Sequence, residues 1–332
     1  MTIKKLVVCL SKDLPPILDR SSDKVYFTYD KLKLYIGQNI VEENFAIVEG
    51  NLPKDPVNGM IYIKNTNMTF NILISCMHQK DASIIKRSNI QSDVVVVNQC
   101  DHDSIEEYDF VNKKGRTCHA KFICTTERGL SKSRNMAIRN AWGDICQLCD
   151  DDEVLPDDGE EKILKAYAEN PDAGLIAFAV VRNDRPIKYP QEKRPLGFIQ
   201  ILKTSSIQIT FSRHLSNKHG ILFDEKMGSG TGNGGGEENR FMFDWRKKRV
   251  KMLYYPDIIA TLMSADSQWF HGYDARYFEN LGWTDRRILG NVLGMIYLFY
   301  WPLFHRKAYK QEGSLSLLET IKYSLKGYFS KR

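Results

Sequence analysis

A chain of 332 residues with 42% hydrophobic and 27% charged residues has ample sequence for a core and is not intrinsically disordered. A net charge of +6, with cations spread among acids until the last fifty residues, lacks the basic stripe of a nucleic-acid binder. Seven cysteines scattered through apolar runs fit a reducing compartment, and the apolar run Leu6 to Leu10 is too short for a signal peptide. The catalytic part is therefore expected in the cytoplasm.

In chain order, residues 1–66 read as a small β-rich extension. Its short strands, Leu6–Leu10, Lys24–Tyr29, Leu32–Ile36, Phe45–Val48 and Met60–Ile63, are punctuated by Pro15-Pro16, Gly37, Pro53 and Asn58-Gly59. No chemical motif occurs there.

From residue 67 to 283 strands alternate with helices. Phe70–Cys76 and Asp93–Asn98 are buried-strand runs flanking a short helix at 81–88. A polar loop follows, then strand Ala120–Thr125, helix Leu130–Trp142 closed by Gly143, strand Ile145–Cys149 and helix Glu160–Ala168. Gly174–Val181 and Ser205–Phe211 read as strands, 182–203 as a loop, Glu237–Trp245 as a helix, and Met252–Tyr255 as a short strand ending at Pro256. Such alternation predicts an α/β fold with a doubly wound, mostly parallel sheet, whose binding edge lies at the strand C-termini.

Residues 284–332 form a third segment. The seventeen uncharged residues 288–304 would make a helix of ~26 Å, short for a membrane span. Ser316 and Glu319 suggest a capping box opening an amphipathic helix with Leu317, Leu318, Ile321 and Leu325 on one face. A basic amphipathic helix after a short apolar one predicts a protein lying on an anionic membrane surface, peripheral to the inner face. Burial in a core or at a homo-oligomer interface is the competing reading.

Four clusters carry chemistry. Asp150-Asp151-Asp152-Glu153 follows an apolar strand directly. Adjacent carboxylates repel, so water or a cation must attend them, and hard Mg²⁺ or Mn²⁺ prefer oxygen ligands. On a strand end Asp150 and Asp152 would point the same way and share the metal. The bland alternative is a solvated acidic loop. A loop from Gly228 to Gly236 precedes Glu237-Glu238, which suits a mobile lid and a general base, or simply acids on a helix dipole. Ser131, Ser133, Arg134 and Asn135 open a helix where a phosphate or nucleobase could sit. Trp269 and His271 suit acceptor sugar stacking, although a lone histidine is more often structural. Cys146 and Cys149 face opposite sides of a strand and are expected to be buried rather than chelating.

The order of these clusters, from NQCD through RGLSKSRNMAIRNAWGDICQLCDDDE to FDEKMGSGTGNGGGEENRFMFDW, resembles glycosyltransferase family 2 over about residues 68–275. The resemblance implies a GT-A fold and a nucleotide-sugar donor, a UDP-sugar first. It implies a metal, Mn²⁺ or Mg²⁺, at Asp150 and Asp152, and donor contacts from Asn98, Gln99, Asp101, Ser133, Arg134, Asn135, Asp150 and Asp151. It puts the catalytic base at Glu238, with Glu237 as alternative, in an inverting transfer to a saccharide or lipid-linked acceptor, as in capsule or exopolysaccharide synthesis. Two departures stand out: Asn98-Gln99 replace the usual acidic pair, and Cys76-Met77-His78 replace the usual end of the first strand. A nucleotidyltransferase would need a Gly/Arg/Lys-rich signature near that strand, which Ser75–Asp81 lacks. A non-catalytic, membrane-associated nucleotide-sugar-binding protein is the remaining alternative.

Overall fold

The computed structural model describes residues 68–182, 187–263, 272–312 and 315–332, together with six short strands before them. The chain divides into two compact units at Met68/Thr69. In the first, β1 (Leu6–Leu10) pairs antiparallel with β6 (Gly59–Ile63). There too, β2 (Leu18–Arg20), β3 (Asp23–Tyr26), β4 (Tyr35–Ile36) and β5 (Asn39–Ile40) form an antiparallel meander. The strand expected at 45–48 lies outside the described residues.

The second unit opens with β7 (Phe70–Met77), α1 (Ser83–Arg87) and β8 (Val94–Gln99), followed by β9 (Ser104–Val111) and β10 (Thr117–Thr125). Then come α2 (Leu130–Asn140), β11 (Ile145–Asp150), β12 (Glu153–Val154), α3 (Gly159–Glu169) and β13 (Ala173–Arg182). After β14 (Arg194–Pro195) and α4 (Phe198–Ile201), a 3-10 turn at Ser206–Gln208 leads into β15 (Ile209–Ser212) and α5 (Arg213–His219). The rest is α6 (Glu237–Lys247), β16 (Lys251–Leu262), α7 (Ala275–Phe304), α8 (Arg306–Glu312) and α9 (Leu317–Tyr328).

One ten-stranded sheet holds this unit together, in the order β12-β16-β13-β15-β11-β7-β8-β10-β9, with β14 on β16. Its centre is parallel: β11, β7, β8 and β10 run side by side. Helices cover both faces of such strands, so they need apolar residues throughout, and the valines 94–97 are fully buried. The sheet is a mixed, mostly parallel one with flanking helices, the α/β architecture expected. Because parallel neighbours share a direction, β7, β8, β10 and β11 all deliver their C-termini to one edge.

Three local expectations are corrected. The stretch read as a polar loop contains β9, an edge strand antiparallel to β10. Its alternation of half-buried and exposed residues is what an edge facing solvent permits, and charge there disguises a strand as a loop. The strand expected to end at Pro256 continues to Leu262. The register against β13 shifts between Phe178 and Ala179, and a bulge there tolerates a residue without an N–H. The first four residues of the strand expected at 205–211 turn instead, because Ser205 and Gln208 close a capping box.

At the C-terminus, α7 is a hairpin rather than a rod. Gly290 takes φ 78°, a left-handed conformation that breaks the helix. The ring of Phe278 in its first leg lies 6.0 Å from that of Trp301 in its second, so the legs fold back on each other. The first leg also packs tightly on α9: a Cβ at Gly282 would fall 1.9 Å from the Ser324 carbonyl oxygen. The capping box of Ser316 and Glu319 opens α9 as expected.

Candidate active site

At the sheet edge, β11 ends in Asp150 and the chain turns through Asp151 and Asp152 before Glu153 enters β12. The turn replaces the straight strand end on which a shared orientation of Asp150 and Asp152 was expected. Each acid therefore meets a different environment.

Asp150 is tied down on both oxygens. Arg134 Nη2 donates to Oδ1 at 3.0 Å and Oδ2 at 3.3 Å, and Ser206 Oγ donates to Oδ2 at 3.1 Å. Asp151 faces the loop after β7, accepting from Gln79 Nε2 at 3.3 Å, while Arg87 holds the other end of the Gln79 amide at 2.8 Å. Burial, then the Asp150 charge, raises the pKa of Asp151 and likewise that of Asp152. Glu153 is buried. Its Oε1 accepts from the Asp150 N–H at 2.9 Å, and its Oε2 has no partner among the described residues. Burial, then the charge of Asp150, push its carboxyl well above the usual range.

Arg134 links this edge to α6. Only 3% exposed, its guanidinium also donates from Nη1 to Glu237 Oε1 at 3.0 Å. Burial disfavours its charge, but Asp150, Glu237 and Glu238 more than offset that and hold its pKa above the ordinary value. Arg134, from α2, thus joins Asp150 at the sheet edge to Glu237, which lies 103 residues beyond the arginine in sequence.

Glu238 differs from Glu237 beside it. It is half-buried and has no ion pair among the described residues. Burial, then the neighbouring Glu237 charge, pushes its carboxyl up to about 8. A carboxyl with that proton affinity is matched to proton transfer near neutral pH.

The glycine loop is pinned rather than loose. Gly228 N–H donates to the Gly234 carbonyl at 3.1 Å, Leu130 N–H to Ser229 O at 2.9 Å, and Ser131 Oγ to Met227 O at 2.8 Å. At Gly228, φ 90° and the Glu237 carboxyl carbon 3.0 Å from where a Cβ would stand leave room for no side chain.

The remaining expected donor residues occupy supporting positions. Asn98 grips the Gln79 backbone from both ends of its amide, accepting from N–H at 3.0 Å and donating to the carbonyl at 2.9 Å. Gln99 Oε1 accepts from Gly129 N–H at 2.8 Å, fixing the start of α2. Asn135 clamps the 223–225 segment through Phe223 N–H and O and the Glu225 carboxylate. Ser133 is buried, with its Oγ lacking a partner among the described residues, and Asp101 is exposed beside His102. Trp269 and His271 lie outside the described residues. Gln79, Arg87 and Ser206 joined the site without any signal in the sequence, since each is a common residue in an unremarkable turn or short helix.

Whether these acids suit a metal follows from counting charge. Asp150, Glu237 and Glu238 act on Arg134, Asp151 lies near Arg87 and Asp152 near Arg182, so these five carboxylates outnumber the three cations. The donor set is all oxygen, the preference of Mg²⁺ and Mn²⁺. With Asp150 engaged by Arg134 and Asp151 by Gln79, Asp152 is the acid of this turn left for a metal. The residues fit a hard dication.

Residues 81–227 match the model of glycosyl transferase family 2. No curated protein sequence matches the chain. Among solved structures, residues 1–349 of TarS from S. aureus in complex with UDP-GlcNAc superpose with a TM-score of 0.53 at 15% identity, over 78% of this chain and 80% of that one. The same fragment in complex with UDP gives 0.52 at 14% identity, over 79% and 80%. The mannosyltransferase PcManGT from Pyrobaculum calidifontis, in complex with GDP-Man and Mn²⁺, gives 0.47 at 16% identity, over 79% and 87%.

Proposed function

We propose, from the premise that this chain carries a family 2 glycosyltransferase domain with a GT-A fold, that it is a metal-dependent inverting enzyme. It would transfer a sugar from a nucleotide-sugar to an acceptor hydroxyl. The observation that carries this reading is Arg134, which holds the acidic sheet edge and the acids opening α6 in one network.

An anionic diphosphate donor meets unfavourable charge at this edge unless a dication accompanies it. Asp152, with Asp150 beside it, would hold Mg²⁺ or Mn²⁺, which when bound neutralises charge building on the leaving diphosphate. Asn98 and Gln99 brace the segments bordering the nucleotide end of the edge. Glu238, as carboxylate, accepts the acceptor hydroxyl proton. That oxygen forms its bond to the anomeric carbon from the face opposite the breaking bond to the diphosphate, whose electrons leave with the nucleoside diphosphate. Glu237, committed to Arg134, positions the start of α6 rather than taking the proton. UDP-sugars are the first donors to try, since UDP-GlcNAc and UDP occupy the TarS complexes.

The same reading includes a membrane surface. The second leg of α7, residues 291–304, is roughly 21 Å long at 1.5 Å per residue, too short to cross a bilayer. It leaves Val292, Ile296, Leu303 and Phe304 exposed. Near its start lies an open cleft of about 550 Å³ lined by Arg240, Arg286, Arg287, Lys331 and Arg332, with Asp224 as the single acid. Apolar side chains beside a basic cleft suit the headgroup boundary of an anionic membrane, and through it a lipid-linked acceptor in surface polysaccharide synthesis.

The deciding test is nucleoside diphosphate release from a panel of nucleotide-sugars, with Mn²⁺, Mg²⁺ or chelator. Release that needs the metal and disappears in Asp152→Asn is expected. Equal turnover in chelator would remove the metal from the reading, and no turnover or binding of any donor would remove the reading itself.

A further inference from the structure

A second cluster of ligating side chains lies at the C-terminal ends of β8 and β10. In the parallel register Cys76 stands beside Asn98, and Asn98 beside Cys124, so these three side chains share one face of the sheet. Asn98 Nδ2 donates to Cys124 Sγ at 3.6 Å. Just past β8, Cys100 N–H pairs with the Thr125 carbonyl at 2.9 Å, which brings the turn after β8 against the end of β10. His102 then folds back, with Nδ1 3.7 Å from Cys100 Sγ. The two thiol sulfurs and one imidazole nitrogen all lie within 4.8 Å of one another. Among the described residues this is the one group of three such ligands so closely drawn together.

We propose that Cys100, His102 and Cys124 form a site for a thiophilic divalent cation, of which Zn²⁺ is the type. Zinc bonds of about 2.3 Å to sulfur and 2.0–2.1 Å to nitrogen give a tetrahedron whose edges are roughly 3.6–3.8 Å. The Cys100–His102 separation already matches such an edge, and the other two need only modest contraction. Thiolate and imidazole select a softer ion than the all-oxygen set at Asp150–Asp152. The protein would thus sort two cations by donor chemistry. His102 is exposed, which gives an ion a way in, and Asn98 supplies the hydrogen bond to sulfur that accompanies metal thiolates. Asp101 Oδ1, 3.0 Å from His102 Nδ1, is an oxygen that could take a fourth position. On binding, two thiol protons pass to solvent, and the imidazole coordinates through Nδ1 with its remaining proton on Nε2. The cation would cross-link the turn after β8 to β10, immediately beside the strand end that carries Asn98 and Gln99.

The site is tested without the transfer reaction. The full-length chain, purified under reducing conditions and stripped with chelator, is titrated with Co²⁺ and Zn²⁺. We expect one equivalent of Co²⁺ to give a thiolate-to-cobalt charge-transfer band that one equivalent of Zn²⁺ abolishes, with excess Mg²⁺ leaving it intact. Zn²⁺ should raise the melting temperature. His102→Ala, a surface change that spares the fold, should weaken Zn²⁺ at least tenfold, and Cys100→Ser should abolish the band. Absence of the band, or wild-type affinity in both variants, overturns the proposal. So does a thiol count under the same reducing conditions showing Cys100 and Cys124 joined to each other.

Discussion

The sheet edge and the C-terminal hairpin handle awkward groups in opposite ways. At the edge, charged residues are drawn inside and held against one another: Arg134 is buried between Asp150 and Glu237, and buried Glu153 accepts from the Asp150 N–H. In the hairpin, apolar residues are left outside, with Ile296, Leu303 and Phe304 facing solvent. A buried ion network is costly unless each member has its partner, so the edge has to be rigid. An exposed apolar leg is unfavourable in water alone, so it is suited to a surface other than water. The first region fixes geometry for chemistry, and the second leaves a face open.

Four perturbations probe that contrast, beginning with the largest. Glu238→Gln should lower transfer by about 10²–10⁴-fold while donor affinity, measured by calorimetry, holds. An active variant would move the base elsewhere, Glu237 first. Arg134→Met should cost about 3–5 kcal/mol in denaturant melts, because it strands Asp150 and Glu237 without their partner. A wild-type midpoint would show that the edge is not held as a network. A pH profile comes next. With its proton affinity raised to about 8, Glu238 is protonated below that pH and is a base above it. Values of kcat/KM should therefore climb through the neutral range and level off above about 8, and a flat profile would contradict this assignment. Smallest is the hairpin pair Ile296→Ser with Phe304→Ser. Each removes roughly 1.5–3 kcal/mol of transferable apolar surface, so anionic-vesicle binding should fall about tenfold or more. Turnover of a water-soluble acceptor should not change, and equal vesicle binding would return the leg to a protein interface.

Much of the fold could be read from residues alone where burial is two-sided. Runs such as Val94–Val97 admit little but a central strand, and β7, β8, β10 and β11 fall where they were expected. The edges were less legible. Solvent lets β9 carry Glu106, Glu107 and Asp109, and β16 bulges at a proline between the stretches paired with β14 and β12, and both features mimic loops. The site shows the same division. Acids at 150–153 and 237–238 stand out because such runs need a reason. Local sequence holds no trace of Ser206 approaching Asp150 or of Arg134 reaching Glu237, since both contacts exist only once the sheet is assembled. Asn98, Gln99 and Asn135 were visible as polar residues in telling places, yet their amides are spent on backbone groups of neighbouring segments, a role that depends on where those segments pass.

The fold-back at Gly290 has a topological meaning. A helix that reverses enters and leaves through the same face of whatever it rests on. With its second leg resting on a membrane, the sheet unit before it and α9 after it would lie on the same side of that membrane. A barrier touched by the second leg would be met from one side only, by the same unit that carries Arg134 and Glu238.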